Sequence, residues 1–312
     1  MWGFIMNQIK DRKIIKSACI KNSERSSQRP VLWLLPLLIF LSVFFLFPCI
    51  DMIRMSFTNA SMTSSSYRYT LSSYIRIFQD PSLLYVLGIT LFFVGVSVIL
   101  QFALGFAIAY GVDSGEKRNL KGTVVTRTIS LISWAIPGVA IGIIWKILYS
   151  ETSSGILNYL LSLVGFKTVP FLTNPVLALV FMTIANVWRG TAQSMILLYA
   201  GIKTVPLEII EAGDVDGARF FRRIFNIVVP SMKSVIMVNI LLNIINTFNT
   251  FDMIMSLTGG GPGRSTEVMV LSSYRTIFQQ LDLGKGSAIA VILLAINIIF
   301  ATLYIKMNGE EN

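Results

Sequence analysis

Asn243, Thr247 and Thr250 recur at i, i+4 and i+7 within an otherwise apolar run, so on a helix they form one polar stripe. Asn246 and Asn249 lie beside it. A second apolar run repeats the pattern with Asn186, Gly190 and Gln193, and a third sets Trp134 and Gly138 four residues apart around Pro137, which should kink that helix. Amides and hydroxyls both donate and accept hydrogen bonds, so the chemistry on offer is recognition of a polar solute. Polar groups inside a membrane span usually face a bundle interior or a cavity, and two readings fit them: a binding surface, or hydrogen-bonding glue between helices. Arg189 also falls in a span, where it can pair with Asp252 or attract an anion. Covalent chemistry is poorly supported, because the chain has no histidine and no nucleophile–base or metal constellation.

A different chemistry sits in Glu211–Pro230, "EAGDVDGARFFRRIFNIVVP", a charged block between two apolar runs. Pro206 suits a first helical turn, with Thr204 as a cap before it. Leu207, Ile210, Ala218, Phe221, Phe225 and Val228 supply apolar faces at helical spacing, and Asp216-Gly217 is a turn signal. The expected form is a helix, a tight bend, and a second helix entering the next span at Pro230. Such a pair could dock on a soluble partner or rest on lipid headgroups as an amphipathic loop.

The elements that must hold these groups are membrane spans. The chain is 54% hydrophobic and only 13% charged, against about 25% charged in soluble domains. Six runs reach the about 20 residues a span requires: 31–50, 83–111, 124–149, 175–200, 231–255 and 286–305. Gly88, Gly95, Gly105 and Gly111 in the second run predict close helix packing. The net charge of +10 does not indicate nucleic acid, because the basic residues flank the apolar runs as topology signals do. Most of them fall in 1–30, 112–127, 201–233 and 306–312, which places both termini and the charged block in the cytoplasm. The basic, Ser-rich tail is too long and polar for a usual signal peptide, so the first span reads as a retained anchor. Cys19 and Cys49 lie far apart and predict no disulfide. One domain is expected over 31–306, with its loop at 204–230, between cytoplasmic ends at 1–30 and 307–312.

The order Glu211-Ala212, Asp216-Gly217-Ala218, Ile227 and Pro230 resembles the cytoplasmic loop of binding-protein-dependent ABC import permeases. The family pattern is Glu-Ala-Ala, two residues, Asp-Gly-Ala, then Ile and Pro. Gly213 replaces the second Ala and should loosen the first helix by up to about 1 kcal/mol, and Ile224 stands where an aromatic is usual, with Phe225 next. "FDMIMSLTGGGPGRSTEVMV", Phe251–Val270, resembles the segment after the fifth core span in sugar permeases of the maltose and glycerol-phosphate type, in the first of their two membrane subunits. The same run imitates a phosphate loop, but Thr258 stands where its first Gly belongs and Arg264 where its Lys belongs, so no nucleotide site is read there.

The resemblance implies an all-α integral membrane protein with six transmembrane helices and a cytoplasmic coupling helix pair, a type I ABC importer permease in a bacterial inner membrane. It implies a non-enzymatic subunit that binds no cofactor, with ATP and Mg on two separate ATP-binding subunits, a second homologous permease, and an extracytoplasmic sugar-binding protein. Glu211, Ala212, Asp216, Gly217, Ala218, Ile227 and Pro230 would form the ATPase-coupling segment. Trp134, Gly138, Asn186, Gly190, Gln193, Asn243, Asn246, Thr247 and Thr250 match positions lining the sugar site, where an aromatic face stacks on a pyranose and amides and hydroxyls meet its OH groups. A glycerol-phosphate ester is the alternative solute. An ion-coupled secondary transporter would need intramembrane carboxylates, for which only Asp252 is a candidate.

Overall fold

Two long helices start at the same device, a capping side chain followed by proline. Asp80 accepts from the Ser82 amide ahead of Pro81, and Asn174 accepts from the Val176 and Leu177 amides ahead of Pro175. Each side chain satisfies amides the helix itself cannot, and proline at the first position lacks an N–H to satisfy. The computed structural model of the chain describes residues 30–64, 66–152 and 155–309. The expected tail at 1–30 and the terminal 310–312 lie essentially outside the described residues.

The chain divides into two units, Met1–Arg54 and Met55–Asn312. The first is described through helix α1, Trp33–Ser56, apolar enough to cross a membrane and containing a π-helical stretch at Ser42–Leu46. In the second unit follow α2 (Ser72–Gln79), α3 (Pro81–Lys117), α4 (Thr123–Ala135), α5 (Gly138–Leu148), α6 (Ile156–Leu163) and α7 (Pro175–Lys203). Then come α8 (Leu207–Val215), α9 (Phe220–Ser231), α10 (Lys233–Phe248), α11 (Asp252–Leu257), α12 (Met269–Phe278) and α13 (Leu283–Gly309). No strand is found among the described residues, only an isolated bridge between Thr58 and Tyr69. Four helices, α1, α3, α7 and α13, can each cross a membrane, and two bent pairs, α4–α5 and α9–α10, bring the number to six.

The bends correct the expected spans. Residues 124–149 turn by 102° between α4 and α5, where Pro137 was expected to kink them. The run 231–255 is not one helix: α10 stops at Phe248, and α11 restarts at Asp252. The second helix of the charged block does not run on at Pro230; it includes Pro230, passes through a π-helical stretch at Ile224–Val228, and meets α10 at 80°. The short helices α5 and α11 pack on each other, and they can approach because Gly142 lacks a Cβ; one there would lie 2.7 Å from the Met253 carbonyl and 3.0 Å from the Leu257 amide.

Helices α3, α7 and α10 pack together around two apolar cores. One contains Phe93, Ile141, Met182, Phe248 and Met253, and the other contains Ala109, Met195, Leu198, Val228 and Met232. Of the four glycines expected to bring α3 close to a neighbour, only Gly105 does so, with Met195 N 3.0 Å from where its Cβ would be; Gly88, Gly95 and Gly111 face open space. The 37 residues of α3 extend about 55 Å, well past a hydrocarbon core of about 30 Å. At its far end Asp113 meets Lys117 at 2.8 Å and Lys203 at 2.7 Å, and Glu116 meets Lys203 at 3.0 Å, which ties α3 to the end of α7. At the opposite face Asp80 pairs with Lys285 at 3.0 Å and Arg76 with Asp282 at 2.7 Å.

Candidate functional site

Between the two cores, α3, α7 and α10 turn polar side chains toward one another instead of apolar ones. They enclose a cavity of about 310 Å³ lined by Gln101, Trp134, Asn186, Arg189, Gly190, Gln193, Asn243, Asn246, Thr247, Asn249, Thr250 and Asp252. The stripes expected from helical spacing therefore converge on one space, with Trp134 from the end of α4, 58% exposed, on its wall. Thr250 reaches it from beyond the end of α10, not from a helical turn, and its hydroxyl donates to the Asn246 carbonyl at 2.9 Å. Gly138 is the exception. It does not line the cavity; it forms the first residue of α5, and a Cβ there would overlap the Asp252 carboxylate.

Hydrogen bonds sort the lining residues into two depths. Asn186 and Asn243 are buried, and their amide nitrogens join helices: Asn186 donates to Ser97 Oγ at 3.0 Å, and Asn243 donates to Ser194 Oγ at 2.7 Å and Asn239 Oδ1 at 3.2 Å. These two are glue and lining at once. Asn246 is exposed and donates to the half-buried Gln193 Oε1 at 2.9 Å, a bond that also crosses from α10 to α7 but lies open to the cavity, where water or an occupant can replace it. Asn243→Ala should therefore cost about 1–3 kcal/mol in thermal unfolding of the purified chain, because Ser194 and Asn239 lose a buried partner, whereas Asn246→Ala should leave the melting temperature unchanged.

Gln101 was missed among the lining residues. Its Nε2 donates to the Asn186 carbonyl at 3.1 Å, and its buried Oε1 has no partner. Its amide occupies the space a Cβ on Gly190 would take, so Gly190 both lines the cavity and seats Gln101. The sequence did carry a signal, since Gln101 is the sole amide side chain between Pro81 and Val112. Arg189 and Asp252 resolve as a pair, Nη1 to Oδ1 at 3.3 Å.

The charged block forms the expected helix, bend and helix. At the end of α8, Gly217 takes φ +72°, and the Ala218 amide donates to the Gly213 carbonyl at 2.8 Å. That is a Schellman cap, which favours glycine at this position. Thr204 does not cap α8; its hydroxyl donates to the Gly201 carbonyl at 2.7 Å and closes the end of α7. Glu211, Ala212, Asp216 and Pro230 are exposed, Ala218 and Ile227 half-buried. Ile210 and Gly213 face inward, and the Ile227 tip rests where a Gly213 Cβ would be. Gly213 is thus a close-approach position for α9, and α8 runs through it unbroken.

The family described as "Binding-protein-dependent transport system inner membrane component" matches residues 101–305, which contain every residue lining the cavity and the whole of 204–230. The chain belongs to this family. It is by family an inner-membrane permease, a transport subunit. The trehalose/maltose transport system permease protein of Thermococcus litoralis is 32% identical over 284 residues, 91% of this chain and 94% of the relative. An sn-glycerol-3-phosphate transport system permease protein of Brucella abortus is 29% identical over 273 residues, 86% of this chain and 90% of the relative. The fold is that of the bacterial alginate ABC transporter solved in complex with an alginate pentasaccharide-bound periplasmic protein, with a TM-score of 0.77 at 20% identity over 91% of this permease and 96% of that chain.

Proposed function

We propose that this permease is the membrane subunit of an ATP-driven importer that moves a carbohydrate into the cytoplasm by alternating access. The carrying observation is the cavity between the two cores, lined by amides, hydroxyls and one exposed tryptophan. An amide or hydroxyl can answer a sugar OH in either direction, and a tryptophan face can cover a ring's apolar side. Trp134, Asn186, Gly190, Gln193, Asn243, Asn246, Thr247 and Thr250 would form the solute surface, with Gln101 added and Gly138 acting through Asp252. The face bearing 204–230 and the Asp113–Lys203 pair would be cytoplasmic, as would both termini, because basic residues favour that side. There Glu211, Ala212, Asp216 and Gly217 would meet an ATP-binding subunit, which carries the ATP and Mg, while Ala218, Ile227 and Pro230 hold the second helix against the first. A second homologous permease, a second ATP-binding subunit and an extracytoplasmic sugar-binding protein complete the assembly.

Labelled trehalose and maltose offered to vesicles carrying the full complex test this reading. Gln193→Ala and Asn246→Ala should each weaken apparent affinity about 2–10-fold, the worth of one uncharged hydrogen bond, with assembly intact. Unchanged affinity in both variants, or no ATP-dependent uptake of either sugar, would count against it. A glycerol-phosphate ester is the second reading, favoured by one observation: Arg189 reaches the cavity.

A further inference from the structure

We infer that the Arg189–Asp252 pair is a charge selector, which keeps the cavity neutral so that it admits an uncharged polyhydroxy solute over an anionic one. This rests on the carbohydrate reading and names the solute class within it. Of the twelve residues lining the cavity, Arg189 and Asp252 alone are charged; the others are amides, hydroxyls, a glycine and a tryptophan. The two side chains are 30% and 39% exposed, so both charges reach the space a solute would fill. Pairs this open contribute little to stability, and the consequence of this one lies in the field it sets.

Asp252 is the anchored partner. Its carboxylate lies against the bare Gly138 backbone at the start of α5, the positive dipole end of an 11-residue helix. It is also the first residue of α11. Any side chain at 138 would displace it. Arg189, arriving from α7, is thus met by an anion that α5 and α11 hold in place. A phosphate or carboxylate on a solute that approached the guanidinium would meet the repulsion of the Asp252 carboxylate beside it. A hydroxyl meets no such opposition, and can donate to the carboxylate or accept from the guanidinium.

Equilibrium binding to the purified full complex tests this, with a panel of mono- and disaccharides and their 6-phosphates. The wild-type complex should prefer the uncharged member of each pair. Asp252→Asn should move the ratio of dissociation constants toward the phosphate by about tenfold or more, and salt should erode the gain. Arg189→Gln should move it the other way and improve binding of an amino sugar such as glucosamine. The double variant should return near the wild-type ratio, which a merely structural role would not produce. If Asp252→Asn fails to assemble, the amino-sugar gain in Arg189→Gln carries the test alone. An unchanged ratio in the single variants, or a double variant that does not revert, overturns the inference. A wild-type complex that binds no member of the panel overturns the carbohydrate reading itself.

Discussion

Vesicles carrying Glu211→Lys in the full complex are expected to lose about tenfold or more of their ATP-driven uptake, the scale of effect when a charge is reversed at a protein contact. Glu211 stands exposed on α8, while Ile210 and Gly213 of the same helix face inward against α9. Among the described residues none bonds its carboxylate, so a loss of uptake would report the contact and not the folding of this chain. The reversal would replace the proposed attraction toward a basic partner by a repulsion. ATP hydrolysis should then run without uptake, or the ATP-binding subunits should dissociate, while the binding protein still docks on the other face. Gly217→Val should reach a milder version of the same end by another route. At φ +72° a side chain costs about 1–2 kcal/mol, and no neighbour within 4 Å adds a clash, so the strain is confined to the bend. Coupled, wild-type uptake by Glu211→Lys would leave 204–230 as an amphipathic connection lying on lipid.

Glu267→Gln should be strongly destabilising, at about 1.5–3 kcal/mol, because it takes the buried carboxylate away from two guanidiniums that are themselves part-exposed and so regain some water. The Glu267 side chain is 2% exposed and lies between two guanidiniums: Arg264 binds both its oxygens at 2.8 Å, and Arg275 binds Oε2 at 2.8 Å. Arg275 also donates to the Gly259 carbonyl, so the group closes the glycine loop between α11 and α12. Burial pushes the Glu267 carboxyl upward, but its bonds to Arg264, Ser272 and Arg275 outweigh this and hold it below the usual range. Its contribution is then fully present above the ordinary glutamate value of 4.5 and is lost as pH falls through the lower folded value. Thermal unfolding in detergent at neutral and acid pH should show a lower melting temperature for the variant and a shallower acid decline. Equal melting temperatures and equal acid limbs would mean that the two arginines find other partners at no cost.

The glycine run 259–261 was legible as a loop, but the carboxylate that closes it was not. Arg264 and Glu267 stand three residues apart, but only the folded loop brings Arg275 of α12 and the Gly259 carbonyl to them. Gly213 taught the reverse lesson. Alone it is expected to loosen α8, yet α8 runs through it unbroken and Ile227 fills the place of its missing Cβ, so the glycine also serves packing.

What the sequence determined by itself was whatever short-range geometry governs. Run length located the candidate spans, 3.6-residue periodicity put Asn186 with Gln193 and Asn243 with Thr247 on common faces, and Asp216-Gly217 marked a bend that takes positive φ. Tertiary structure decided which neighbour each face meets. The break at 249–251 carries no proline or glycine, so no local signal ends α10 there. Thr204 could serve either adjoining helix until the backbone placed its hydroxyl on Gly201. Gly88, Gly95 and Gly111 look like Gly105 in sequence, but only Gly105 faces α7. Arg189 and Asp252 lie 63 residues apart, and their pairing depends on α11 restarting beside α5. A helix's own period fixes the direction of a side chain, while the identity of what it touches is a property of the assembled bundle.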